Sequence, residues 1–288
     1  MQVHLVDGTY ELFRYFFALP SHVNGDSEEV AATRGVVGTC LSLLEDGATH
    51  IGVATDHVIE SFRNDLYDGY KDGSEMEPDI VAQFPLVEEA LTAAGFTVWP
   101  MVAYEADDAL GAGALLAAGD DRVEQVLICT PDKDLGQCVG GKVVQYDRRK
   151  ELLYDADGVR EKFGVSPASI PDYLGLVGDT SDGFPGVKGW GAKSASLVLA
   201  RYQHIEQIPL EAELWDVEVR GAQRLVESLR EHMAEGLLFR FLAVLRRDVP
   251  FTETLSDLEW RGVPRDEWHA FCDQYGFGTL RDKPHRYR

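Results

Sequence analysis

Nine carboxylates fall into five short clusters: Asp7; Asp56; Glu105, Asp107 and Asp108; Asp132 and Asp134; Asp179 and Asp182. Hard divalent cations such as Mg²⁺ and Mn²⁺ prefer oxygen ligands, and a pair of them can drive phosphodiester cleavage. Asp179 and Asp182 stand three apart, so one helical turn would point both the same way. One acid at the start of the helix that follows Tyr104 would satisfy its dipole. Three acids on four positions repel one another, a cost best tolerated beside cations. Asp132-Lys133-Asp134 follows an apolar strand. An Asp-x-Asp pair also opens phosphatases that form an aspartyl-phosphate, but that chemistry wants the pair after the first strand, where this chain has a lone Asp7 followed by Gly8-Thr9. No Ser/His/Asp arrangement stands out, and His4 reads as a packed strand residue. A metal-activated water is the better nucleophile candidate.

A second constellation is Gly183-Phe184-Pro185-Gly186-Val187-Lys188-Gly189-Trp190-Gly191-Ala192-Lys193-Ser194-Ala195. Its core, Gly-hydrophobic-Gly-x-x-x-Ala, is a helix–hairpin–helix signature. Glycines let backbone N–H groups approach a phosphate, and the next helix offers its positive N-terminus. Lys188 and Lys193 add charge there. Such an element binds nucleic-acid backbone without reading bases. A dinucleotide-binding reading of Gly189-x-Gly191 is poorer, because no strand precedes it and Ser194 holds the place of the third glycine.

These residues need a scaffold. Residues 2–7, 49–55, 96–99, 123–130 and 142–146 read as strands. Between them, 9–19, 34–46, 78–94 and a stretch from Tyr104 to about 118 read as helices, the first carrying an aromatic stripe (Tyr10, Phe13, Tyr15, Phe16, Phe17) read as core. The alternation implies an α/β fold with a doubly wound, mostly parallel sheet. Ligand sites in such sheets form beyond the carboxyl ends of strands, where Asp7, Asp56 and Asp132 fall. The remote acids are therefore expected to meet in one crevice. Residues 57–77 are polar and irregular. After about 155 the pattern turns helical: two helices around the glycine-rich connection in 168–202, one or two helices in 221–246, and a short one at 268–275. The basic tail 281–288 is expected to fray. The division expected is an α/β core over 1–165 and a helical region over 166–288, with the hairpin at about 170–202.

The 288 residues are 45% hydrophobic and 26% charged, ordinary for a globular protein. Net charge is −22, awkward for a partner that is itself a polyanion, and setting aside the nine clustered acids still leaves −13. Either the substrate is not a polyanion, or local cations and bound metals carry the contact, or the chain is adapted to a saline cytoplasm. No run of about 18 apolar residues and no signal core occurs, so no membrane association and a cytoplasmic location are expected. Cys40, Cys129, Cys138 and Cys272 are dispersed without a CxxC pair and read as buried thiols.

The chain resembles the 5′-nuclease superfamily: the 5′→3′ exonuclease domain of bacterial DNA polymerase I, phage 5′-nucleases and flap endonucleases. The resemblance rests on Leu5-Val6-Asp7-Gly8, Ser61-Phe62-Arg63, Tyr67-x-x-Tyr70-Lys71, Tyr104-Glu105-Ala106-Asp107-Asp108, Thr130-x-Asp132-Lys133-Asp134-Leu135 and Gly178-Asp179-x-Ser181-Asp182 with the glycine hairpin. Their order spans about residues 3 to 280. It implies a PIN-like 5′-nuclease core with a C-terminal helix–hairpin–helix (H3TH) region, and metal ligation by all nine acids. Asp7, Glu105, Asp107, Asp132 and Asp134 would lie closest to two Mg²⁺ or Mn²⁺ ions, with Asp56, Asp108, Asp179 and Asp182 completing the cluster. It further implies catalytic cations at Lys71 and Arg63, an arch at about 57–77 for a 5′ single strand, and a hairpin able to hold K⁺. DNA contacts would come from Lys188, Gly189, Gly191, Lys193, Tyr67 and Tyr70. The expected activity is 5′→3′ exonuclease and 5′-flap endonuclease on DNA, RNA primers included, by a stand-alone monomer with no organic cofactor. The alternatives are a non-cleaving junction binder and a metal-dependent ribonuclease. Three features depart from the pattern: Ser74 replaces a usual Arg, Trp190 replaces a smaller aliphatic, and the arch stretch is rich in acids (Asp65, Asp68, Asp72, Glu75, Glu77).

Overall fold

The computed structural model describes residues 1–288, which divide into two compact units. The first comprises Met1–Ser61, Gly73–Thr130 and Arg246–Arg288; the second comprises Phe62–Asp72 and Pro131–Leu245. The contacts thus group the chain differently from a single cut at residue 165, and the polymer passes between units at four points.

The first unit begins with β1 (Gln2–Asp7), α1 (Gly8–Ala18), α2 (Ala31–Glu45) and β2 (His50–Asp56). It continues with α3 (Pro78–Val81), α4 (Gln83–Ala93), β3 (Thr97–Met101), α5 (Ala106–Ala118) and β4 (Gln125–Cys129). The one helix expected over 78–94 is two pieces meeting at Ala82, which caps both. The strands run parallel in the order β3-β2-β1-β4, with Leu5 opposite Gly52 on one side and Ile128 on the other. Val3, Leu5, Val6, Val53, Ala54, Val126 and Ile128 are sealed from solvent. Such continuous apolar runs are what a parallel sheet buried on both faces requires. Small residues bring α5 close: a Cβ on Gly113 would lie 2.7 Å from the Trp99 ring.

The second unit holds β5 (Val143–Asp147) and β6 (Leu152–Tyr154), an antiparallel hairpin whose second strand the sequence did not announce. Five helices follow: α6 (Ala156–Phe163), α7 (Ile170–Val177), α8 (Ala192–Tyr202), α9 (Ala222–Glu231) and α10 (Met233–Ala243). Their shared core includes Val159, Leu174, Phe184, Val198, Leu229 and Phe239. α7 crosses α10 at a glycine on each; a Cβ on Gly175 would sit 2.8 Å from Arg240 N and 2.9 Å from Gly236 O. Trp190 is buried here, its indole donating to Leu225 O at 3.2 Å and facing Trp215 at 6.1 Å, which accounts for its size at a position usually aliphatic.

The last helix, α11 (Arg265–Tyr275), returns to the first unit. The tail after it is not frayed. Val263 N–H donates to Arg286 O at 3.1 Å and Arg288 N–H to Val263 O at 2.9 Å, so backbone pairing holds a segment that charge alone suggested was loose. All four cysteines are buried free thiols, and no helix is long and apolar enough to cross a membrane.

Candidate metal centre

In the first unit, five of the nine acids gather at the carboxyl ends of β1 and β2 and the start of α5. Asp7 ends β1 and caps α1: one oxygen accepts from Tyr10 N–H at 2.8 Å, the other from the Thr130 hydroxyl at 2.9 Å. Asp56 ends β2, its N–H donating to Thr9 Oγ1 and its Oδ1 accepting from Ala106 N–H, both at 2.8 Å. Glu105 precedes α5, donates its N–H to Asp108 Oδ2 at 3.0 Å and accepts from the Ser61 hydroxyl at 2.8 Å. Asp108 is sealed from solvent and accepts from Arg246 N–H at 2.8 Å; Asp107 is half-buried. The 105–108 group is therefore a helix cap as well as an acid cluster, so the two readings of that string are not exclusive.

In the second unit, ligand atoms of Asp134, Asp179 and Asp182 all lie within 4.8 Å of one another, and all three residues are buried. Asp134 opens a short 3₁₀ turn, its N–H donating to Asp132 Oδ1 at 3.0 Å. Asp179 and Phe184 exchange backbone hydrogen bonds at 2.8 and 3.0 Å, which closes the turn that presents Asp182. Two lysines answer these acids: Lys133 Nζ reaches Asp179 at 2.7 Å and Lys71 Nζ reaches Asp182 at 2.9 Å. Burial acts to lower the Lys133 pKa, but the hydrogen bond to Asp179 and the fields of Asp179, Asp134 and Asp132 outweigh it and hold it above the ordinary lysine value.

Asp134 is the exposed nerve of this cluster. Its Oδ1 is buried with no hydrogen-bond partner. Burial first, and then the fields of Asp132, Asp182 and Asp179, push its pKa well above the ordinary carboxylate range. An orphaned carboxylate oxygen facing two further buried acids is the donor set that a hard divalent cation fits.

The cationic residues expected at the chemistry divide. Lys71 sits at the acid cluster, whereas Arg63 is 1% exposed, and its guanidinium donates to Leu242 O at 2.7 Å and Val244 O at 3.2 Å. These bonds tie the 62–72 segment to the end of α10. Tyr70 is 4% exposed within the hydrophobic core, and Tyr67, half-buried, packs edge-on against Phe239 at 5.6 Å. The arch stretch itself runs as a series of turns, with residues 62–72 grouped in the second unit.

Several positioning residues gave little sign of themselves in the sequence. Gln137 donates to Asp134 O and Ala243 O, both at 2.9 Å, and accepts from Leu245 N–H at 3.1 Å. Gln145 donates to Asp132 O from the middle of β5. The available signal was a glutamine inside an otherwise apolar run. Lys188, Gly189, Gly191 and Lys193 are all exposed on the glycine hairpin. Gly189 takes φ +85 with open space around it, and Gly191 caps α8 beside a cavity of about 510 Å³ lined also by Ser194, Val219 and Arg220. Charge is uneven: the first unit holds 28 Asp and Glu against 11 Lys and Arg, a balance of −17, whereas the second holds 21 against 16, a balance of −5.

Residues 2–164 match the family described as 5′-3′ exonuclease, N-terminal resolvase-like domain, and residues 165–266 match 5′-3′ exonuclease, C-terminal SAM fold. The chain belongs to the 5′-3′ exonuclease family. Relatives of this exonuclease chain include DNA polymerase I of Bacillus caldotenax, 33% identical over 285 residues, and that of Mycobacterium tuberculosis, 34% identical over 288. Each alignment takes in 97% of this chain but 32% and 31% of the relative, so the chain spans about a third of the length of the polymerases it matches. Among solved structures, bacteriophage T5 5′-exonuclease with bound zinc ions aligns at TM-score 0.69 and 18% identity, covering 98% of this chain and all of that one. A T5 flap endonuclease in complex with DNA and metal ions aligns at 0.66 and 19%, covering 85% and 89%. The catalytic core of Rad2 with DNA substrate aligns at 0.61 and 19%, covering 96% and 88%. These likenesses establish a shared fold: a mixed α/β part with a mostly parallel sheet, followed by a helical part.

Proposed function

We propose that this exonuclease-family chain is a divalent-metal-dependent 5′-nuclease that hydrolyses DNA bearing a 5′ end, flap or nick, as exonuclease and flap endonuclease. The observation that carries the reading is the Asp134–Asp179–Asp182 cluster with its orphaned oxygen. Asp7, Asp56, Glu105, Asp107 and Asp108 from the first unit, and Asp132 with those three from the second, are the proposed metal ligands. Bound there, a pair of Mg²⁺ or Mn²⁺ ions would lower the pKa of a water and offset charge on the leaving oxygen. Lys71 would oppose charge building on the scissile phosphate. Gln137 and Gln145 hold the backbone of Asp134 and Asp132, so the acids stay aimed without a ligand. Lys188, Gly189, Gly191 and Lys193 would grip duplex backbone, with K⁺ at the same hairpin. The products would carry 5′-phosphate and 3′-hydroxyl ends, and RNA primer strands fall within the same reading, as do a monomeric state and a cytoplasmic setting. DNA in the T5 and Rad2 structures and metal in the T5 structures support it through shared fold, and membership of the exonuclease family supports the chemistry.

The test is a 5′-labelled flap duplex incubated with and without Mg²⁺, product sizes mapped, beside single-stranded RNA. Metal-dependent cleavage near the flap junction is expected, lost in Asp132→Ala and Asp134→Ala while DNA binding persists. Binding without metal-dependent cleavage of any 5′-ended DNA would leave a junction binder; preference for the RNA would leave a ribonuclease.

A further inference from the structure

The β5–β6 hairpin serves the proposed metal site through Gln145 alone. Its turn, Asp147-Arg148-Arg149-Lys150-Glu151, contains the only three consecutive cations in the chain. The acid that opens the turn is spent inside it. Asp147 is 2% exposed, and its carboxylate accepts from the N–H groups of Arg149 at 3.1 Å and Lys150 at 3.3 Å, with Lys150 Nζ also at 3.3 Å. An acid so bonded shapes the turn. Glu151 takes φ +55 and sends the chain into β6, the last strand of the sheet order, with Leu152 and Leu153 about half exposed.

A fourth cation joins the three. Lys162 of α6 lies over the Tyr154 ring at 4.7 Å and the Phe163 ring at 4.8 Å. Burial and then the charge of Lys150 lower its pKa, so the two ammonium groups share one neighbourhood. Of the acids nearby, Asp147 and Asp132 act on Lys162 against that lowering, Asp155 caps α6, Asp157 pairs with Arg160 at 2.6 Å, and Glu151 and Glu161 add countercharge.

We infer that the tip of the β5–β6 hairpin, Arg148, Arg149 and Lys150 with Lys162 behind them, is a docking surface for the phosphodiester backbone of duplex DNA, additional to the glycine hairpin. The inference rests on the nuclease reading. Arg149 and Lys150 are exposed and Arg148 half-buried; long cations on a narrow turn suit a row of phosphates and read no bases. A first unit at −17 repels a polyanion, so backbone contacts must concentrate on the second, where this is the densest cationic run.

The experiment is fluorescence anisotropy with a labelled nicked duplex in EDTA, across a salt series, comparing the parent with R148S/R149S/K150S. Loss of two to three phosphate contacts should lower the slope of log affinity against log salt by about 2 and weaken binding roughly 10- to 100-fold near 0.1 M salt. Melting temperature serves as the folding control, and Arg149→Glu alone should weaken binding in the same direction. Parental affinity and slope in both variants would overturn the hairpin assignment while leaving the nuclease reading intact. A loss seen on single-stranded RNA but not on duplex would overturn the assignment to DNA. A parent that binds no DNA would sink both.

Discussion

Lys71 is fastened to Asp182 at two points: its ammonium donates to Oδ1 at 2.9 Å, and its backbone N–H donates to the carbonyl of the same aspartate at 3.0 Å. The second bond fixes where the side chain starts, and the first fixes where it ends. A flexible lysine is thereby held at an acid cluster rather than sampling solvent.

Replacing Lys71 with Ala should lower kcat on a 5′-flap duplex by about 10²- to 10³-fold, the usual scale for removing one preorganised charge from a transition state. DNA affinity should change by less than about tenfold. Single-turnover rates beside anisotropy measure both, and equal losses in the two would make Lys71 a binding residue only.

Gly183 sets this attachment. It takes φ +90, and a Cβ there would lie 2.1 Å from Gly69 O, on the segment that carries Lys71. Gly183→Ala must displace that segment and adopt an unfavourable backbone conformation, a cost of about 1–3 kcal/mol. Turnover per folded molecule should fall with it, as measured by rate after correction for the folded fraction in urea.

Arg63→Ala should act on stability instead. Removing the guanidinium strips a donor from the carbonyls of Leu242 and Val244 in a buried setting, costing about 2–4 kcal/mol. Lysine should not restore it, since a point charge cannot reproduce the fork. Urea unfolding reads this directly; a turnover deficit in the fraction still folded would return Arg63 to the chemistry.

The raised pKa of Asp134 makes stability depend on pH and metal. Its folded carboxyl keeps a proton that the unfolded chain releases near pH 4, so without metal stability falls as pH rises from there through the raised folded pKa, and the deficit is complete above it. Asp134→Asn removes that titration. In EDTA near pH 8 it should melt higher than the parent by roughly 2–8 °C. Mg²⁺ should raise the parent's melting temperature by mass action and raise that of Asp134→Asn less. Scanning calorimetry across pH, with and without metal, decides it; a variant that melts lower at pH 8 in EDTA would contradict the strain at this site.

What could be read from the sequence was what local rules govern. Strand-terminal acids, the alternation of strands and helices and the glycine hairpin all follow from patterns a few residues long. What escaped depends on partners far along the chain. The burial of Arg63 was not legible because Leu242 and Val244, whose carbonyls accept from it, lie about 180 residues away. The burial of Tyr70 was not legible because nothing nearby says that it enters a core built from residues 139 to 243. The tail from Arg281 looked loose because its charges were visible and its backbone pairing with Val263 was not. The acidic balance was misleading as an average, since composition hides how unevenly the two units divide it.

The route of the polymer also limits how this protein can be dissected. Phe62–Asp72 is severed in sequence from Pro131–Leu245, and Arg246–Arg288 from the strands it rejoins. No single scissile position releases either half intact, including the seam at residue 165 between the two family segments. A truncation at any one position therefore divides at least one unit, so loss of activity in a fragment cannot be assigned to the residues it lacks.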